Sequence, residues 1–126
     1  MRAASLLAVA FLAASCAALQ PSAAVSPRIA RATIVIPAYR FEPPTLDVDR
    51  GTVVTWENRD LDQHVLATSP TAAIPLNPDH SYDLGSSRFV LSLEPGATAS
   101  FNFNDAGTYY YFCLVHNTMK GVVVVR

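Results

Sequence analysis

Residues 107–125 read GTYYYFCLVHNTMKGVVVV. Gly107 punctuates the start of a run, Thr108 to Cys113, that is rich in aromatic residues and reads as a strand. Period-two alternation then sets Tyr109, Tyr111 and Cys113 on one face and Tyr110 and Phe112 on the other, so the thiol is expected to face a core. Gly121 opens a second run, Val122 to Val125, whose unbroken apolarity predicts a strand covered on both sides or capped at one end by loops. Between the two strands lies a tight loop, CLVHNTM at 113–119, which spaces a thiol, an imidazole and a thioether three residues apart.

Working outward from this pair, short β-rich runs recur at 33–36, 45–49, 52–56, 64–68, 88–93 and 98–103. Asp49-Arg50-Gly51 reads as the turn of a hairpin joining 45–49 to 52–56, and Pro95-Gly96 and Asp105-Ala106-Gly107 separate later runs. The stretch 69–87, with Pro70, Pro75 and Pro78, is a long connection with room for a helical turn. No clean helical period appears elsewhere. Seven to eight short strands with frequent turn signals predict an all-β fold, a Greek-key β-sandwich. Residues 25–32, VSPRIARA, have no usable period and read as a linker, which leaves 33–126 as one domain.

Nine Lys and Arg against ten Asp and Glu give a net charge of −1, and there is no basic run, so nucleic-acid binding is disfavoured. Arg2 precedes a largely apolar stretch, Ala3 to Ala14, that at about 1.5 Å per residue is roughly 18 Å long and too short to span a bilayer. Ser22, Ala23 and Ala24 then supply the small residues of a signal-peptidase site, which predicts a signal peptide over 1–24 and a periplasmic or secreted protein. An alternative reading takes Ala13-Ala14-Ser15-Cys16 as a loose lipobox. It predicts a lipoprotein signal over 1–15 and membrane anchorage through a lipidated Cys16. Under either reading Cys113 has no cysteine left to pair with, and a lone thiol outside the cytoplasm is expected to be buried or bound.

The thiolate, imidazole and thioether of Cys113, His116 and Met119 are soft or borderline metal ligands. They supply three of the four donors of a copper electron-transfer site, which uses two histidines, one cysteine and a weak axial methionine. His64 is the candidate for the missing histidine, because it follows the polar turn 58–63 and opens an apolar strand. His80 is the alternative, and its place between Asp79 and Ser81 in the proline-rich connection reads as solvated.

Three segments in order, FEPPTLDVDRGTVVTWENRD (41–60) leading to His64, LEPGATASFNF (93–103) and GTYYYFCLVHNTMKGVVVV, resemble the cupredoxins, the type 1 blue copper proteins. The likeness is to amicyanins and plastocyanins, with the short amicyanin-type ligand loop, and it covers about 33–126. It implies ligands His64, Cys113, His116 and Met119 around one copper that alternates between Cu(II) and Cu(I). It further implies a monomeric electron carrier rather than an enzyme, with a cytochrome or copper enzyme as redox partner. The electron would pass through His116 across an apolar patch to which Leu114, Val115, Asn117, Pro43 and Pro44 contribute. A copper-holding or copper-delivery protein is the alternative function, but three histidines and two methionines with no ligand-rich tail speak against it.

Two positions depart from the family pattern. Val65 stands where many members have an asparagine that ties the two ligand loops together, and Val115 stands where many short-loop members have proline. By the resemblance, the Val65 amide donates to the Cys113 sulfur, and Val115, unlike proline, is free to add a second such bond.

Overall fold

The computed structural model describes residues 28–126. Both readings of the leader, and residues 25–27 of the proposed linker, therefore lie outside the described residues. Eight strands follow in order: β1 (Arg31–Ile36), β2 (Thr45–Val48), β3 (Thr52–Asn58), β4 (His64–Ser69), β5 (Val90–Leu93), β6 (Thr98–Phe103), β7 (Gly107–Cys113) and β8 (Lys120–Val125). They form two sheets, one ordered β1-β3-β6 and the other β2-β8-β7-β4-β5. The sandwich is the one expected. Its first strand starts two residues earlier than the sequence boundary, because Arg31 and Ala32 continue the parallel pairing of β1 with β3.

The expected hairpin between 45–49 and 52–56 does not form. The chain does turn at Gly51, whose φ of 83° suits glycine. However, β2 pairs in parallel with β8, from Thr45↔Val122 to Val48↔Val125, while β3 lies in the other sheet between β1 and β6. Leu46 and Val48 pack on the shared core from the β8 edge, so the turn carries the chain from one sheet to the other instead of back along itself. The 69–87 connection contains turns and one isolated bridge, Leu76 to Tyr82, in place of a helical turn.

Alternation sets the core as anticipated. Tyr109, Tyr111 and Cys113 of β7 point inward and are buried, as are Ile34 and Ile36 of β1, Val54 and Trp56 of β3, Leu93 of β5 and Phe103 of β6. Trp56 occupies the middle, with ring centroids 5.2 Å from Phe89, 6.3 Å from Phe103 and 5.5 Å from Tyr111. In β8 the apolar run resolves into alternation after all: Gly121, Val123 and Val125 are buried, whereas Val122 and Val124 are half-buried on the outer face. Gly121 is a packing position as well as a strand opener. A Cβ there would lie 2.3 Å from the Tyr111 ring and hydroxyl, so only glycine lets that ring cross β8.

Candidate metal centre

β4 opens on His64 and β7 ends on Cys113, and the two strands run antiparallel as neighbours with Leu66 opposite Cys113. Both side chains therefore emerge at the same end of the sandwich. The chain leaving β7 turns tightly back into β8, held by the Cys113 amide donating to the Met119 carbonyl at 3.1 Å and the Met119 amide donating to the His116 carbonyl at 2.9 Å. The Leu114 amide donates to the Val65 carbonyl at 2.7 Å. The two ligand-bearing segments are thus tied by backbone at Val65, a link that needs no asparagine side chain.

This arrangement brings one atom each of His64, Cys113 and His116 within 4.8 Å of one another. The separations are 3.6 Å from Cys113 Sγ to His64 Nδ1, 4.0 Å from Sγ to His116 Nδ1, and 3.3 Å between the two Nδ1 atoms. Nitrogen and sulfur donors about 2.0–2.3 Å from a common ion, at angles between tetrahedral and trigonal, stand roughly 3.3–4 Å apart, so the triangle fits a single metal. A thiolate with two imidazoles is the donor set of a copper site. His64 and Cys113 are fully buried and His116 is half-buried. Met119 is also buried, in the core cluster that contains Cys113.

The orientation of His64 is set from behind. Asp60 Oδ2 lies 2.9 Å from His64 Nε2, and a carboxylate only accepts, so Nε2 carries the proton and Nδ1 presents its lone pair to the cluster. Asp60 also accepts from the Ala38 amide at 2.5 Å and the Tyr39 amide at 2.8 Å. Burial pushes the Asp60 carboxyl up, but bonds from Tyr39, His64 and Ala38 outweigh it and hold the group below its ordinary value. The loop carrying Asp60 is organised by Asn58, buried at the end of β3. Its amide nitrogen donates to the carbonyls of Asp62, Leu93 and Glu94, and its side-chain oxygen accepts from the Asp60 amide. Asp60→Ala is expected to weaken copper binding about 10–100-fold, measurable by competition with a chelator, because the imidazole loses the partner that fixes its tautomer and tilt.

His80 takes no part: it is exposed, at a φ of 66°, and outside the cluster. The hydrogen bonding to sulfur differs from the sequence expectation. The amide that reaches Cys113 Sγ is that of His116, at 3.4 Å, rather than those of Val65 or Val115. The turn after Cys113 curls the chain so that the third amide points back at the sulfur, while Val115 itself is turned out to solvent. Asn117, Pro43 and Pro44 are exposed as well, and Leu114 is half-buried. Three residues around the site stand outside the sequence pattern of ligands: Asn58 and Asp60, within the polar turn 58–63, and Tyr82, whose hydroxyl donates to the Leu114 carbonyl at 3.0 Å from the long connection. A carboxylate four residues before a candidate ligand histidine was the available signal for Asp60.

An eight-stranded sandwich with a thiol and two imidazoles gathered at one end defines a small cupredoxin. Residues 31–126 match the family model of copper binding proteins, the plastocyanin/azurin family. The chain is 34% identical over 95 residues to amicyanin-alpha of Methylorubrum extorquens, covering 74% of this chain and 70% of that protein. It is 32% identical over 99 residues to the plastocyanin of Scenedesmus fuscus, covering 71% of this chain and 89% of that one. Among solved structures, a purple cupredoxin from Nitrosopumilus maritimus superimposes with a TM-score of 0.57 at 25% identity, covering 75% of this chain and 99% of that chain. The chain belongs to the plastocyanin/azurin family of copper-binding proteins, and its cofactor is copper at a type 1 site.

Proposed function

We propose that this protein is a single-electron carrier whose copper is held by Nδ1 of His64, Sγ of Cys113 and Nδ1 of His116, with the Met119 thioether as a weak fourth ligand. The observation that carries the reading is the closed triangle of two imidazole nitrogens and one thiol sulfur at one end of the sandwich. Copper bound by such a set supplies one-electron exchange between its two oxidation states. The chain's own residues restrict it to that. His64 and Cys113 are anchored by strands, Met119 by its bond to His116, and the surrounding packing leaves little room for the ligands to rearrange. His116 is the half-exposed member of the three, so its ring is the route by which an electron enters and leaves.

The burial of His64, Cys113 and Met119 argues against a delivery role, which calls for exposed and exchangeable ligands. With four protein donors there is no position for a substrate, and the reading is of a carrier without enzymatic activity. Its partners are other redox proteins that meet the His116 end, where Val115, Asn117, Pro43 and Pro44 are exposed. The reading of residues 1–24 as a signal peptide supports a location outside the cytoplasm, and no helix among the described residues is long and apolar enough to cross a membrane. Loading the purified chain with one equivalent of Cu(II) is expected to give intense visible thiolate-to-copper absorption that bleaches on one-electron reduction and returns on reoxidation. Weak absorption only, or bleaching without recovery, would count against the carrier reading.

A further inference from the structure

Tyr39 lies on the turn between β1 and β2 and is not part of the core; it is 47% exposed. Its ring nevertheless meets both imidazoles edge-on, with centroids 5.0 Å from His116 and 5.9 Å from His64. An exposed tyrosine is ordinarily free to swing, but this one is fastened at two points. Its amide donates to Asp60 Oδ2 at 2.8 Å, and its hydroxyl donates to Asp62 Oδ2 at 2.5 Å. That second bond raises the phenol above its ordinary value, with Asp62 and Asp60 acting in the same direction electrostatically.

The backbone beneath it is unusual. Ala38 and Tyr39 are consecutive non-glycine residues at positive φ, 50° and 59°, a conformation disfavoured wherever a Cβ is present. The turn persists because the two successive amides close around one carboxylate, Asp60. The same Asp60 Oδ2 accepts from His64 Nε2. One carboxylate therefore fixes both the buried imidazole and the turn that delivers Tyr39 to the half-buried one.

We propose that Tyr39 is a latch on the metal centre: a positioning residue whose anchored ring stops His116 from rotating out of the cluster. The inference rests on the reading of His116 as a copper ligand. His64 needs no such support, since it is fully buried and held from behind, whereas His116 sits on the short loop 113–119 with one side toward solvent. The Tyr39 ring occupies space against that imidazole, so outward rotation must first displace it.

The test uses the copper-loaded full chain, reduced, with excess bicinchoninate as the Cu(I) acceptor. Tyr39→Ala is expected to release Cu(I) about tenfold faster than wild type, equivalent to about 1.4 kcal/mol on the barrier, an effect within reach of two edge-on ring contacts. Tyr39→Phe keeps the ring and the backbone bond but loses the anchor to Asp62, and is expected to release Cu(I) at a rate between those of wild type and Tyr39→Ala. A role confined to fold stability would move the unfolding midpoint of the copper-free chain, which is expected to stay near wild type in both variants. Release from Tyr39→Ala at the wild-type rate, with an unchanged visible spectrum, overturns the latch. If that variant does not fold, Asp62→Ala decides, because it frees the phenol: faster release supports the latch and a wild-type rate overturns it. A wild-type chain lacking the thiolate-to-copper band overturns the copper assignment and the latch together, whereas a normal band with unaltered release overturns the latch alone.

Discussion

Cys113→Ser is expected to abolish the visible thiolate-to-copper absorption of the copper-loaded chain, while His80→Ala leaves it unchanged. The band requires a sulfur bonded to the metal, and Cys113 is the free cysteine among the described residues. Serine matches the thiol closely in size, so the buried end of β7 has no steric reason to rearrange. Its hydroxyl does not ionise near neutral pH and is a hard donor where copper favours a soft one. The remaining nitrogens of His64 and His116, 3.3 Å apart, still hold copper, more weakly and without the charge-transfer colour. The separation between thiol loss and copper loss is measurable: metal content after mild dialysis reports binding, and the visible spectrum reports the thiolate. His80 is the control because it is a histidine of the same chain that is exposed and outside the cluster. His64→Ala is expected to resemble the cysteine variant in losing the intense band. A His80 variant that bleaches while the His64 variant keeps its colour would reverse the assignment of the second imidazole.

How far the sequence reached depended on whether a feature was local. The burial of Tyr109, Tyr111 and Cys113 on one face of β7 followed from alternation alone, because a strand's facing is fixed residue by residue. His64 could be chosen over His80 for a similar reason: one opens an apolar strand and the other lies among polar and proline residues. Pairing was a different matter. Two β-rich runs flanking Asp-Arg-Gly have the pattern of a hairpin, and only the presence of β8 as a partner for β2 sends them into separate sheets. The bond to sulfur was missed on the same ground, since which amide of the loop faces Sγ depends on how tightly the chain curls between Cys113 and His116. Asp60 shows the limit most plainly. Its spacing from His64 was visible, but its grip on the amides of Ala38 and Tyr39 joins residues more than twenty positions apart.

The scaffold holding that end of the molecule is expected to fail at Trp56. Trp56→Ala should destabilise the copper-free chain by about 3–5 kcal/mol, the range for emptying a buried large aromatic site. For a domain of this size that corresponds to a fall on the order of 20 °C in Tm. Trp56 is fully buried in β3, and its indole touches Phe89, Phe103 and Tyr111, which come from both sheets and from the segment leading into β5. Removing it leaves those rings facing a void that the paired strands on either side cannot close by moving together. Trp56→Phe is expected to cost less, for two reasons. It keeps an aromatic ring against the same neighbours, and it removes the indole N–H, which is buried without a hydrogen-bond partner. The metal ligands sit where β4 opens and β7 ends, and the segments that carry them are tied by backbone bonds of their own. Both variants are therefore expected to show the visible band at temperatures below their transitions, with calorimetry or circular dichroism on the copper-free chain giving the loss of stability. An alanine variant that melts within a few degrees of wild type would show that the two sheets are held by their edges and loops rather than by the ring between them.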